Sequence, residues 1–142
     1  MDFVKIARAI GILNRTFQSY LSKALSETDL SYSDSIFLVN IGNRPGVSQE
    51  DLSHLLAIDK AAIARSVKNL EKKGYIQTER SIQDKRTKEL YLTDSGKDFM
   101  QFMDKLHERW AAHVLQDINE TDIESFATRI DMMGSRAKSF EE

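Results

Sequence analysis

The sequence predicts a mainly α-helical (α+β) fold in which a series of helices is interrupted once, by a two-stranded hairpin. Three observations predict it. Through most of the chain, apolar residues recur at three- and four-residue steps, as in helices that bury one face. Ser, Asp or Asn stands just before several of these stretches, where a helix needs a side chain to accept its first free N–H groups. Residues 75–93 break the pattern, with two short strand-like runs on either side of a polar loop.

Phe3, Ala7, Ile10, Leu13, Phe17, Tyr20 and Leu21 predict a first helix over residues 2–25, interrupted by the polar run from Ser26 to Ser31. Ser31 or Ser33 caps a second helix carrying Ile36, Phe37, Leu38 and Val39, which ends near Asn40–Gly42. Asn43-Arg-Pro-Gly-Val47 then turns the chain around its single proline. Ser48-Gln-Glu-Asp51 has the form of a capping box with Asp51 in place of the usual Glu or Gln. It opens a short helix, 48–56, that buries Leu52, Leu55 and Leu56. Asp59 caps another helix to Lys73 with Ile63, Val67 and Leu70 inward, and Gly74 stops it.

Tyr75–Arg80 and Lys88–Thr93 are the strands. Thr93-Asp-Ser-Gly96 starts a long helix with Phe99, Phe102, Met103, Leu106, Trp110 and Val114. Asn119-Glu-Thr-Asp122 caps a last one with Ile123, Phe126, Ile130, Met133 and Ala137. There is no internal repeat.

A capped short helix, a tight turn over 57–59, a second helix and then a hairpin make a winged helix-turn-helix. Its expected extent is residues 31–93, flanked by helical parts at 1–25 and 94–142 of a single 142-residue chain. In such a unit the second helix lies in the major groove of DNA and its first turns meet base edges. With Ile63, Val67 and Leu70 inward, the outward face of helix 59–73 holds Lys60, Ala61, Ala62, Ala64, Arg65 and Lys68. The small residues permit close approach to a groove wall. Arg65 suits guanine or a phosphate, and the sequence does not choose between them. Lys60 and Lys68 suit phosphate. Ser48 and Gln49, at the start of the preceding helix, can donate to phosphate as well as cap.

In the loop Ser81–Thr87, Arg86 is placed to enter a narrow, electronegative minor groove, flanked by Lys85 and Lys88. Asp84 does not itself favour DNA. It fits as a partner that orients Arg86 or ties the loop together.

Charge is distributed to match. The chain carries −2 in total, but Asp59–Lys97 holds ten basic against six acidic side chains, which makes that segment +4 and the remainder −6. A basic centre between acidic ends suits one surface that meets a polyanion. Without cysteine, a disulfide, a thiol redox sensor or a Cys-ligated metal is excluded. No apolar run approaches the ~20 residues of a membrane span, and no basic-then-apolar leader opens the chain, so a cytoplasmic location with no membrane partner is expected.

Leu70-Glu-Lys-Lys-Gly-Tyr-Ile76, then Asp84-Lys-Arg86, then Leu90-Tyr-Leu-Thr-Asp-Ser-Gly96 resemble the MarR (multiple antibiotic resistance regulator) family. That family's pattern is a Leu-Glu-x-x-Gly-hydrophobic helix end, an Asp-x-Arg wing and a Leu-Thr-x-x-Gly opening of the next helix. The resemblance covers essentially the whole chain in helix order and length. It implies a homodimer whose long N- and C-terminal dimerisation helices interlock, and two wings that straddle a pseudo-palindromic operator. It also implies repression of adjacent or own genes, released by a small, often aromatic or amphipathic ligand. By motif, Asp84 and Arg86 are its wing pair and the outward face of 59–73 its reading face.

The residues support the dimer separately. Phe3, Leu13, Phe17, Phe102, Leu106, Trp110, Phe126 and Ile130 form more apolar stripe than the small winged core can cover. Phe17, Met103 and Trp110 are ligand-pocket candidates, weighed against plain core or dimer interface. No metal or other cofactor is expected: Asp104, His107, Glu108 and His113 share a helix, but His113 lies about 140° round from Glu108, and His54 is elsewhere. A metal-responsive regulator is one alternative. A winged helix used only as a protein–protein module is another, though it has no need of the +4 segment. No enzymatic constellation is present.

Overall fold

The computed structural model describes residues 1–141. Its elements run α1 (Phe3–Ala24), α2 (Tyr32–Asn43), β1 (Val47–Ser48), α3 (Gln49–Leu56), α4 (Lys60–Lys72), β2 (Ile76–Arg80), β3 (Lys88–Leu92), α5 (Asp94–Val114) and α6 (Glu120–Lys138). Two compact units result, Met1–Leu106 and His107–Glu142, with the division inside α5.

The first unit closes on one apolar core. Phe37, Leu38 and Ile41 of α2, Leu52 of α3, Ile63, Val67 and Leu70 of α4, and Ile76 and Leu90 of the sheet are all buried. Leu21 and Leu25, with Phe99 and Met103 of α5, belong to the same core. In α3 only Leu52 is fully inside; Leu55 and Leu56 are half-buried, because a helix of two turns offers the core a single position in full.

The caps are local chemistry. Ser31 accepts the Asp34 N–H at 3.1 Å while Asp34 accepts the Ser31 N–H at 3.0 Å, a reciprocal box. At Ser48 the forward half forms, with its hydroxyl accepting the Asp51 N–H at 3.0 Å.

The sheet departs from the expected two-stranded hairpin. It has three antiparallel strands in the order β1-β3-β2. Val47 pairs with Leu90 and Ser48 with Glu89, and Gly46 donates its N–H to the Leu90 carbonyl at 2.8 Å. The added strand satisfies part of β3's second edge, which would otherwise present unpaired backbone.

In α1 the apolar stripe is open through its first four turns, with Phe3 57% and Leu13 41% exposed. The second unit, considered by itself, holds the end of α5 and α6, and α6 has no buried residue. Asn119 caps α6 by accepting the Asp122 N–H at 2.8 Å. Among the described residues, no helix is long and apolar enough to cross a membrane.

Candidate nucleic-acid interface

The helix-turn-helix is built from three turn residues. Ala57 ends α3 in the left-handed conformation, φ 53° and ψ 45°, and the Ile58 N–H returns to the Ser53 carbonyl at 3.2 Å. Asp59 then caps α4, accepting the Ala62 N–H at 2.9 Å. With Ile63, Val67 and Leu70 buried, the opposite face of α4 holds Lys60, Ala61, Ala64, Arg65 and Lys68, all exposed. Ala62 is half-buried rather than open, since it shares the flank of the inner stripe with Ser66. Lys60 reaches Glu50 of α3 at 3.4 Å, an exposed pair of small energetic weight. Arg65 and Lys68 form no ion pair with any described residue.

At the start of α3 the two sequence candidates differ. The Ser48 side chain is nearly buried and occupied as a cap, while Gln49 is half-buried and lines a groove toward the wing.

The wing is a loop held by its own side chains. Ser81 donates its N–H to the Thr87 carbonyl, and its hydroxyl accepts the N–H groups of Gln83 and Asp84, both at 3.2 Å. The Asp84 carboxylate accepts the Arg86 N–H at 3.0 Å and the Thr87 hydroxyl at 3.2 Å. Of the two roles open to Asp84, the structure shows the tie: it holds the backbone at Arg86 and leaves the guanidinium without an ion pair among the described residues. Lys85, Arg86 and Lys88 are exposed.

Between α4 and the hairpin runs a groove of about 330 Å³ lined by Gln49, Ala64, Val67, Lys68, Glu71, Thr78 and Lys88. Thr78 donates its hydroxyl to Glu71 across it at 3.2 Å. Arg80, which sequence reasoning did not select, is exposed and sits opposite Lys88 on the paired strand.

The MarR family model matches residues 28–87, from the α1–α2 connection through the wing. A protein from Listeria monocytogenes described as a MarR family transcriptional regulator, solved in complex with 26mer DNA, superposes with a TM-score of 0.85 at 27% identity, covering 94% of this chain and 89% of that one. Residues 28–87 are thus similar to the MarR family. Among curated relatives, the uncharacterised HTH-type transcriptional regulator YybA of Bacillus subtilis is 35% identical over 65% of this chain; the match spans 61% of YybA's own length. The HTH-type transcriptional regulator BilQ of Clostridium symbiosum is 28% identical over 87% of this chain and 85% of its own. Both relatives are named as transcriptional regulators.

The MarR motifs now have physical content. Leu70 is fully buried and its carbonyl accepts the Tyr75 N–H at 3.0 Å; Gly74, at φ 84°, makes the turn that allows this. Thr93 donates its hydroxyl to the Gly74 carbonyl at 2.6 Å and accepts the Gly96 N–H at 3.2 Å, so one side chain fastens the start of α5 to the end of α4. Gly96 must lack a side chain because a Cβ there would fall on the Tyr75 carbonyl.

Lys73 donates to the Asp29 carbonyl and pairs with Asp34 at 3.7 Å, and the Tyr75 hydroxyl donates to the Asp29 carboxylate at 2.8 Å. That hydrogen bond, with some burial and the Asp29 charge, raises the Tyr75 pKa above its ordinary value.

The three ligand-pocket candidates have different surroundings. Met103 is sealed in the core at 0% exposure, and Phe17 packs half-buried against that core. Trp110 belongs to the second unit and is half-buried there. A cleft in the first unit, about 400 Å³, is lined by Thr28, Tyr75, Ser95, Asp98, Phe99 and Phe102. No group of three or more His, Asp or Glu among the described residues is arranged to hold a metal ion.

Proposed function

We propose that this chain is a MarR-family regulator that binds duplex DNA in a sequence-dependent way as a homodimer, with α4 in the major groove and residues 81–88 at the adjacent minor groove. The observation that carries the reading is the division of α4. One face is buried to completion, and the other presents Arg65 and Lys68 unpaired beside a wing whose Asp84 ties the backbone at the exposed Arg86. The Listeria relative solved with DNA supports it. Contacts from Gln49, Lys60, Arg65, Lys68, Lys85, Arg86 and Lys88 follow, Ala61, Ala62 and Ala64 permit close approach, and Ser48 contributes as the cap that holds the start of α3.

The open stripes of α1 and α6 support a second copy as their cover. Repression of its own or adjacent genes in the cytoplasm, and release by a small aromatic or amphipathic ligand at the Tyr75–Phe99–Phe102 cleft, complete the proposal.

The test is binding of the full chain to the DNA upstream of its own gene, followed by fluorescence anisotropy across a salt series. Affinity should fall with log slope about −0.9 per neutralised phosphate. Binding that ignores salt, or no preference for that DNA over scrambled duplex, would sink the proposal.

A further inference from the structure

The wing contains two like-charge pairs. The β2–β3 register sets Arg80 directly opposite Lys88 and Glu79 directly opposite Glu89. Side chains so placed have Cβ atoms about 4.5–5.5 Å apart, and like charges there destabilise a hairpin. Strand alternation puts Arg80 and Lys88 on the face that carries buried Ile76 and Leu90, the face turned to α4, and puts Glu79 and Glu89 on the other.

The two faces are not equivalent. Glu89 accepts the Tyr91 hydroxyl at 2.8 Å, which partly answers the acidic pair. Arg80 and Lys88 are exposed and have no ion pair among the described residues. Lys68 of α4 lines the same groove as Lys88 and Thr78, and Arg80 adjoins it through its pairing with Lys88. The acid lining that groove, Glu71, is held by the Thr78 hydroxyl two residue pairs nearer the core than Arg80 and Lys88, leaving the outer mouth to cations.

We propose that Arg80, Lys88 and Lys68 clamp one backbone phosphate where a DNA strand passes between α4 and the wing, and that this phosphate removes the repulsion stored between Arg80 and Lys88. The inference rests on the DNA-binding reading above and adds Arg80 to it. An anion between two cations replaces one repulsion by two attractions, so the inner face of the free wing is electrostatically incomplete. A phosphate carries no base information, so the clamp sets affinity and register without setting sequence preference.

The experiment compares full-length Arg80→Gln, Arg80→Lys and Glu79→Gln with the wild type, using salt-series anisotropy on the duplex the wild type binds and thermal melting of each free protein. Arg80→Gln should bind several-fold more weakly, with a salt slope smaller by about 0.9, unchanged base preference and a melting temperature at or above wild type. Arg80→Lys should keep the slope, and Glu79→Gln should leave it unaltered. Wild-type affinity and slope in Arg80→Gln would overturn the clamp while leaving the DNA-binding reading intact. So would altered base preference, or a melting temperature well below wild type. A wild-type chain that binds no duplex at any salt overturns both.

Discussion

In the winged core, the inner faces of α2, α3, α4 and the sheet close until Leu38, Ile41, Leu52, Ile63, Leu70 and Leu90 reach 0% exposure, whereas in α1 and α6 stripes of the same character stay open, with Phe3 at 57% and Phe126 at 55%. Both regions are amphipathic helices with polar caps. The difference is that the core's helices bury their stripes within one chain, while those two stripes stay exposed. Apolar surface in the first region holds the fold; in the second it is available to a partner. The division inside α4 follows from the same economy, since a helix secured by Ile63, Val67 and Leu70 can leave its whole outer face to a ligand.

The largest effect should come from opening the core. Leu70→Ala removes a fully buried side chain at the end of α4 and should cost about 2–5 kcal/mol, read as a shifted urea midpoint with DNA binding lost alongside. A surface-like change below 1 kcal/mol would mean the core is not what secures α4.

Next comes the open stripe. Leu13→Glu, at a site 41% exposed in the single chain, should leave the wing fold intact but break the dimer, since each Leu buried at an interface contributes about 1.5–3 kcal/mol. Sedimentation velocity reads this directly, and an unchanged dimer would remove α1 from the interface.

A smaller effect is expected at the wing. Asp84→Ala removes the acceptor for the Arg86 N–H and the Thr87 hydroxyl, so DNA affinity should fall by about 1 kcal/mol, roughly fivefold, with little change in melting. Equal affinity would show that the loop keeps its shape without the tie.

The smallest effect belongs to the seam at Tyr75. Its pKa is raised in the folded protein, so its contribution to stability is fully present below pH 10 and is lost as pH rises through the raised value. Tyr75→Phe should flatten that part of the alkaline stability curve. A curve identical to wild type would dismiss the Asp29 hydrogen bond as a contributor.

How much of this was legible depended on whether the deciding neighbour lay close in sequence. The inner stripe of α4 is a three- and four-residue spacing, and it was readable from Ile63, Val67 and Leu70. The caps at Asp59 and Asn119 are likewise local. β1 was not readable: two residues show no alternation, and its partners Leu90 and Glu89 lie about forty positions on. Arg80 escaped notice for the same reason, because its meaning depends on the register that sets it against Lys88. For Asp84 the sequence left two roles open, and only the direction of its carboxylate, onto a backbone N–H, separates them. Met103 read as core or dimer interface before pocket wall, since periodicity reports which face is apolar and not what covers it.

The central claim is that the winged core reads DNA while the open helices recruit a second copy. Native mass spectrometry of the full chain with its bound duplex tests both halves in one measurement. Two chains per duplex are predicted, with the protein alone also two-chain. One chain per duplex, or a protein that is monomeric both free and bound, would contradict the account.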